Sequence, residues 1–141
     1  MIVVADASVA VKWFLAGSPA EEHTDQALAI FDLAVRGELQ LIQPAHFVAE
    51  MAAVLARVKP EQAQDDLLDL LDIECRTGES PEIYATAVDL ATRLRHHLFD
   101  TLYHAVALHT PGATLVTADR RYYAKAGDLG HIAWLGDFQA A

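Results

Sequence analysis

Residues 2–15 read IVVADASVAVKWFL: four apolar residues rich in β-branching, one acid, then a run whose apolar spacing suits a helix. A short buried strand feeding directly into a helix is the economical reading, and the same grammar returns near the far end. There TLVT (114–117) is followed by an acid and the helix-like run of residues 119–126. Between them lies a helix over 21–36, with Ala27, Ile30, Phe31, Ala34 and Val35 three and four apart and Gly37 as its stop. LQLIQP (39–44) alternates as a strand, and Phe47, Met51, Val54, Leu55 and Val58 mark a helix over 46–58. A short strand is expected at 73–75 before a loop RTGESP, then helices at 82–96 and 100–109, and a last strand at 131–135. Strands separated by helices of 10–15 residues predict an α/β fold, with a mainly parallel sheet and helices on both faces.

The 141 residues suit one domain, residues 1–141. Hydrophobic residues make up 53% and charged residues 21%, which is globular composition, and no apolar run reaches the roughly 18 residues of a membrane span. A soluble protein is expected. The N-terminus does not read as a signal peptide, and the single cysteine, Cys75, excludes an internal disulfide and fits a cytoplasmic location. The net charge of -10 argues against binding nucleic acid through bulk charge. Nine acids against one base lie between Glu61 and Asp89, with leucines among them, and read as a solvated face.

In open α/β sheets ligands bind at the carboxyl ends of strands, so Asp6 and Asp119, each just beyond an apolar strand, are expected at one sheet edge. Each also has an ordinary role as a helix N-cap. Glu50 falls about 40° outside the apolar arc of its helix, where an acid ordinarily turns its carboxylate to water. Asp100 opens DTLYHAVALH, again a capping position. If the four converge, carboxylates about 4 Å apart repel by roughly 4 kcal/mol per pair at an effective dielectric near 20, so the cluster needs protons or a cation. Hard oxygen donors without a cysteine ligand set point to Mg2+ or Mn2+ rather than zinc.

With these acids in place the chain resembles PIN-domain proteins, and more closely the VapC-type toxin ribonucleases of type II toxin–antitoxin systems. VVADASVAVKWFL carries Asp6, PAHFVAEMAAVL carries Glu50, FDTLYHAVAL carries Asp100 and LVTADRRYYAKA carries Asp119, in the family's order and over nearly the whole chain. The resemblance implies a PIN-like three-layer α/β/α sandwich with four or five strands. It implies a Mg2+- or Mn2+-dependent endoribonuclease whose Asp6, Glu50, Asp100 and Asp119 hold the metal. Ser8 and Thr117 match hydroxyl positions that contact or orient the acids in similar proteins. A homodimer and a VapB-type antitoxin, whose C-terminal segment crosses the active-site groove, are also implied.

The chain departs from that pattern at RLRHHLFD, where many relatives have a small or glycine-containing turn, and at His104, where an apolar residue is common. His96, His97 and His104 are expected to be surface histidines. Phosphate contacts are expected from Lys12, Arg95, Arg120 and Arg121, with Arg93 and Lys125 as further bases. Of Tyr122 and Tyr123, one should be buried and the other exposed. Two other readings compete: a catalytically silent PIN fold used only for binding, and a receiver-like signalling domain, which would want a lysine after a later strand that LVTAD does not offer.

Overall fold

The computed structural model describes residues 1–140. Five strands form one sheet: β1 (Ile2–Ala5), β2 (Gln40–Pro44), β3 (Cys75–Gly78), β4 (Ala113–Thr117) and β5 (Ile132–Trp134). Their order is β3-β2-β1-β4-β5 and every neighbouring pair is parallel. Parallel strands need crossover connections. Here these are α1 (Ala7–Ala10) with a following 3-10 turn and α2 (Thr24–Val35), then α3 (Phe47–Val58) and α4 (Ala63–Leu71), then α5 (Pro81–Leu94) and α6 (Leu98–Leu108), and last α7 (Arg120–Ala126).

The apolar strand runs are explained by burial on both faces: Val3, Val4, Ala5, Leu115 and Val116 are all at most 2% exposed. α6 is buried from Thr101 through Ala107 and packs across β1, β2 and β4, with α5 against it. Its alanines, Ala105 and Ala107, allow that close approach. α1 lies against β1, β4 and α3, while α2 packs on the 3-10 turn through a bond from the Trp13 indole N–H to the Ala27 carbonyl.

β1 has a side-chain splint that the sequence reading missed. Its backbone register with β2 covers Ile2 and Val3 only. Beyond that, the amide of Gln43, 2% exposed, accepts from the Ala5 N–H at 2.8 Å and donates to the Ala5 carbonyl at 2.7 Å. The strand end that carries Asp6 is thereby fixed.

β3 corrects the expected strand at 73–75. It runs to Gly78, through residues expected to be loop. As an edge strand it exposes Cys75, Arg76 and Thr77 and so lacks an apolar signature. Gly78 is there for space: a Cβ would stand 2.7 Å from Cγ1 of Val106 on α6. The other predicted strands and helices form within a few residues of their expected bounds.

Candidate metal centre

From β1 the chain moves to β2 on one side, then crosses from β3 to β4 on the other. The strand order therefore reverses between β1 and β4, and the crevice beyond their carboxyl ends is where such sheets bind ligands. Asp6 follows β1 directly and Asp119 comes two residues after β4.

Both acids cap helices, as the plain reading of each expected. Asp6 accepts from the Val9 N–H at 3.3 Å and Asp119 from the Tyr122 N–H at 3.1 Å. They do more, because two hydroxyls join them. Ser8 donates to Oδ1 of Asp6 and accepts from the Ala118 N–H, while Thr117 donates to Oδ2 and accepts from the Asp119 N–H. The ends of β1 and β4 are thus cross-linked through one carboxylate. Burial pushes the Asp6 carboxyl up to about 7 against the opposing hydrogen bonds, and the charge of Asp100 adds to the rise.

Asp100 is not the cap of its helix. His97 caps α6, its Nδ1 accepting from the Phe99 N–H, and Asp100 stands in the first turn, where a negative charge suits the helix dipole. Its Oδ2 lies 2.9 Å from Nε2 of His96. Donor atoms of His96, Asp100 and Asp119 lie within 4.8 Å of one another. This juxtaposition of the α5–α6 turn, the first turn of α6 and the N-cap of α7 is the one grouping among the described residues compact enough to hold an ion through three side chains.

Glu50 corrects the expectation of a carboxylate turned to water. Its side chain is only 19% exposed, and Oε1 accepts from the Tyr103 hydroxyl at 2.8 Å. Burial raises its carboxyl above the usual range, and Asp100 again contributes by charge. Glu50 and Asp100 line one groove of ≈ 550 Å³, together with Ala7, His46, Phe99 and Arg57. His46 ties α3 to the start of α6: its Nε2 donates to the Phe99 carbonyl and its ring stacks on Phe99 at 5.1 Å.

The histidines at α6 also differ from the expected surface residues. His104 is fully buried. Its Nε2 faces the Gly130 carbonyl at 2.9 Å and must donate, so Nδ1 of the neutral ring accepts from the Tyr122 hydroxyl at 2.8 Å. Burial lowers its pKa and keeps it neutral. His96 is 9% exposed, with its ring 5.0 Å from that of Tyr122. His97 does lie at the surface. Tyr122 is buried and Tyr123 partly exposed, as expected.

The basic residues divide. Lys12, expected to reach phosphate, is instead buried and held by Glu21 at 2.6 Å, because a buried ammonium needs a partner. Arg120 pairs with Glu22 at 3.0 Å and lies 5.1 Å over the Trp134 ring. Arg95 and Arg121 are exposed. Nothing in the sequence near Lys12 or Arg120 marked these partners, which lie 9 and 98 residues away.

A family model described as PIN domain matches residues 3–128. Among solved structures, the chain is similar to VapBC2 from Rickettsia felis bound to a DNA fragment from its promoter (20% identity, TM-score 0.65, covering 95% of this chain and 97% of that one). It is also similar to a toxin–antitoxin complex from Klebsiella pneumoniae (17%, 0.64, covering 93% and 95%) and to FitAcB from Neisseria gonorrhoeae (18%, 0.60, covering 98% and 100%). At these identities the likeness is one of fold. No curated protein matches the sequence significantly.

Proposed function

The chain belongs to the PIN domain family, and from that premise we propose that it is the toxin of a type II toxin–antitoxin pair, a Mg2+- or Mn2+-dependent endoribonuclease. The observation that carries the reading is the convergence at the switch point: Asp100 and Asp119 share a site, Asp6 is tied to Asp119 through Thr117, and Glu50 lines the groove with Asp100. Carboxylates this near one another favour a cation; Asp6 and Glu50 are raised chiefly by burial, and the charge of Asp100 adds to each. The donor set fits a hard divalent ion, held by Asp100 and Asp119 with Asp6 and Glu50 beside them.

Such an ion would supply Lewis acidity and charge neutralisation at a phosphate. The protein's own residues do the remaining work. Ser8 and Thr117 hold both oxygens of Asp6, so that it cannot swing away, and Tyr103 does the same for one oxygen of Glu50. Arg121, exposed and two residues past Asp119, is the better phosphate contact of the arginine pair, since Arg120 is engaged by Glu22. In a chain of charge -10, affinity for RNA then rests on metal and shape more than on bulk attraction. The structural neighbours described as VapBC and toxin–antitoxin complexes support an antitoxin partner, and a homodimer is proposed on the family resemblance alone.

The test is cleavage of total RNA by the purified protein with and without added Mg2+ or Mn2+. Cleavage only with the ion, lost in Asp6→Asn and Asp119→Asn variants that remain folded, supports the assignment. Full metal-dependent cleavage by either variant would sink it. A protein that binds neither ion at millimolar concentration would instead be a silent PIN module. A receiver-like domain is no longer a competing reading, given the family match.

A further inference from the structure

The turn between α5 and α6 builds a second layer behind the metal centre, made of residues the four-acid reading did not include. α5 ends at Leu94, and Arg95 takes a left-handed φ of 51°. This turn sends the His96 N–H back to the Ala91 carbonyl at 3.1 Å, which pins the backbone of His96. The ring is pinned too, since it packs on Tyr122 at 5.0 Å and its side chain is only 9% exposed. From α7, the Lys125 ammonium reaches across and meets two atoms of the turn: the Arg95 carbonyl at 2.9 Å and Nδ1 of His96 at 3.2 Å.

Donor chemistry then fixes the ring. An ammonium can only donate, so Nδ1 must offer its lone pair. In the neutral imidazole the proton therefore sits on Nε2, and Nε2 faces Oδ2 of Asp100 at 2.9 Å. A chain of two hydrogen bonds runs from Lys125 through His96 to Asp100. One oxygen of Asp100 is thereby occupied and its partly exposed carboxylate is held beside His96, while the other oxygen is left for a cation shared with Asp119.

We propose that His96 is a positioning residue for Asp100, with Lys125 selecting its Nε2–H tautomer, so that the metal-binding carboxylate is set before any ion arrives. This rests on the metal-nuclease reading above. The alternative role, His96 as a third metal ligand within the same 4.8 Å grouping, requires a free lone pair on Nε2. That would place the ring proton on Nδ1, against the Lys125 ammonium, and would break the bond to Asp100. The arrangement favours the positioning role for that reason. Partners of metal ligands of this kind typically affect affinity by about 10- to 100-fold when removed.

Two measurements on the full chain test this. In the metal-free protein, two-bond proton–nitrogen correlation spectra of 15N-histidine-labelled material should show His96 as the Nε2–H tautomer, and Lys125→Met should lose that preference. An Nδ1–H ring in the unsubstituted protein overturns the proposal. Calorimetric titration with Mn2+ should then show binding weakened about 10- to 100-fold in His96→Ala, largely restored in His96→Gln, whose amide can also donate, and reduced by a smaller factor in Lys125→Met. A His96→Ala protein that binds Mn2+ as tightly as the unsubstituted chain overturns the positioning role while leaving the metal reading intact. So does nitrogen coupling from a directly bound imidazole in pulsed EPR of the Mn2+ complex. Failure of the unsubstituted chain to bind Mn2+ defeats the metal reading, and the positioning role with it. If His96→Ala does not fold, the tautomer spectra and the His96→Gln titration still decide.

Discussion

Two regions of this chain are crowded with carboxylates and behave in opposite ways. Between Glu61 and Asp89 nine acids stand on α4, on α5 and in the turns that flank α4 and β3. All but Asp66 are exposed, and Asp66 is paired with Lys59 at 2.8 Å. Around the ends of β1 and β4 there are fewer acids, but Asp6 and Glu50 are largely withdrawn from water and tied to hydroxyls. Water screens the first group, so its members act almost independently. The second group shares a low-dielectric crevice in which the charge of Asp100 is felt by both Asp6 and Glu50. Acid count alone does not mark the candidate metal site; the closeness of His96, Asp100 and Asp119 and the burial of Asp6 and Glu50 beside them do.

The sharpest way to break this contrast is to neutralise each region. Asp119→Asn or Asp100→Asn should lower metal-dependent RNA cleavage at least about a thousandfold, matching the several kcal/mol of charge stabilisation an ion supplies. Asp65→Asn, Asp69→Asn and Asp72→Asn together should leave the rate within about twofold, because exposed charges of this kind contribute little. A matching loss from the surface triple would erase the distinction.

Next in size is the pH dependence of the metal-free fold. Burial holds the Asp6 carboxyl at about 7, well above its ordinary value of 3.8, so the folded state favours its protonated form. Stability from this group is fully present below the unfolded pKa and is lost as pH rises through about 7. At about 1.36 kcal/mol per unit the loss amounts to roughly 4 kcal/mol at most. Denaturant unfolding of metal-free protein across pH 4 to 8 should show the decline, and Asp6→Asn should flatten it. Saturating Mn2+ should offset it by about 2.7 kcal/mol at a hundredfold excess over its Kd. A profile equally steep in Asp6→Asn would assign the slope to other groups.

Smaller effects sharpen the picture of the supporting layer. His104→Leu removes the acceptor of the buried Tyr122 hydroxyl and should cost about 2–3 kcal/mol in urea unfolding. It should also remove an opposite pH slope: His104 has a lowered pKa, so its contribution is present above the unfolded histidine pKa and lost as pH falls below it. Tyr103→Phe should cost about 1 kcal/mol and weaken Mn2+ binding without abolishing it, since Glu50 loses one donor and keeps its place on α3. Equal cleavage rates and Mn2+ affinities in Tyr103→Phe and the unsubstituted chain would separate Glu50 from the centre.

Much of the fold was legible because β1 and β4 are buried on both faces and must therefore be continuously apolar, and because the acids sit immediately beyond them. β3 was hidden by its own position: an edge strand needs no apolar alternation, and its glycine, which reads as loop, serves the packing of Val106. Glu50 was placed correctly at the edge of an apolar arc. That its carboxylate faces Tyr103, 53 residues away, is not written in its helix. Lys12 looked free because Glu21 lies across a turn, and His96 and His104 looked like surface residues because Lys125, Tyr122 and Gly130 approach them only in three dimensions.

The sequence by itself determined the strands other than β3 and most of the helices, and it singled out the candidate acids, since periodicity and residue chemistry are local properties of the chain. Only the tertiary structure decided which of twenty acids lose their water, which hydroxyl or imidazole holds each of them, and which bases remain free. Those outcomes depend on groups brought together from opposite ends of the chain, as Thr117 is brought to Asp6 across 111 residues. The physical reason is that desolvation and hydrogen bonding act over a few ångströms of space, whatever the separation along the chain.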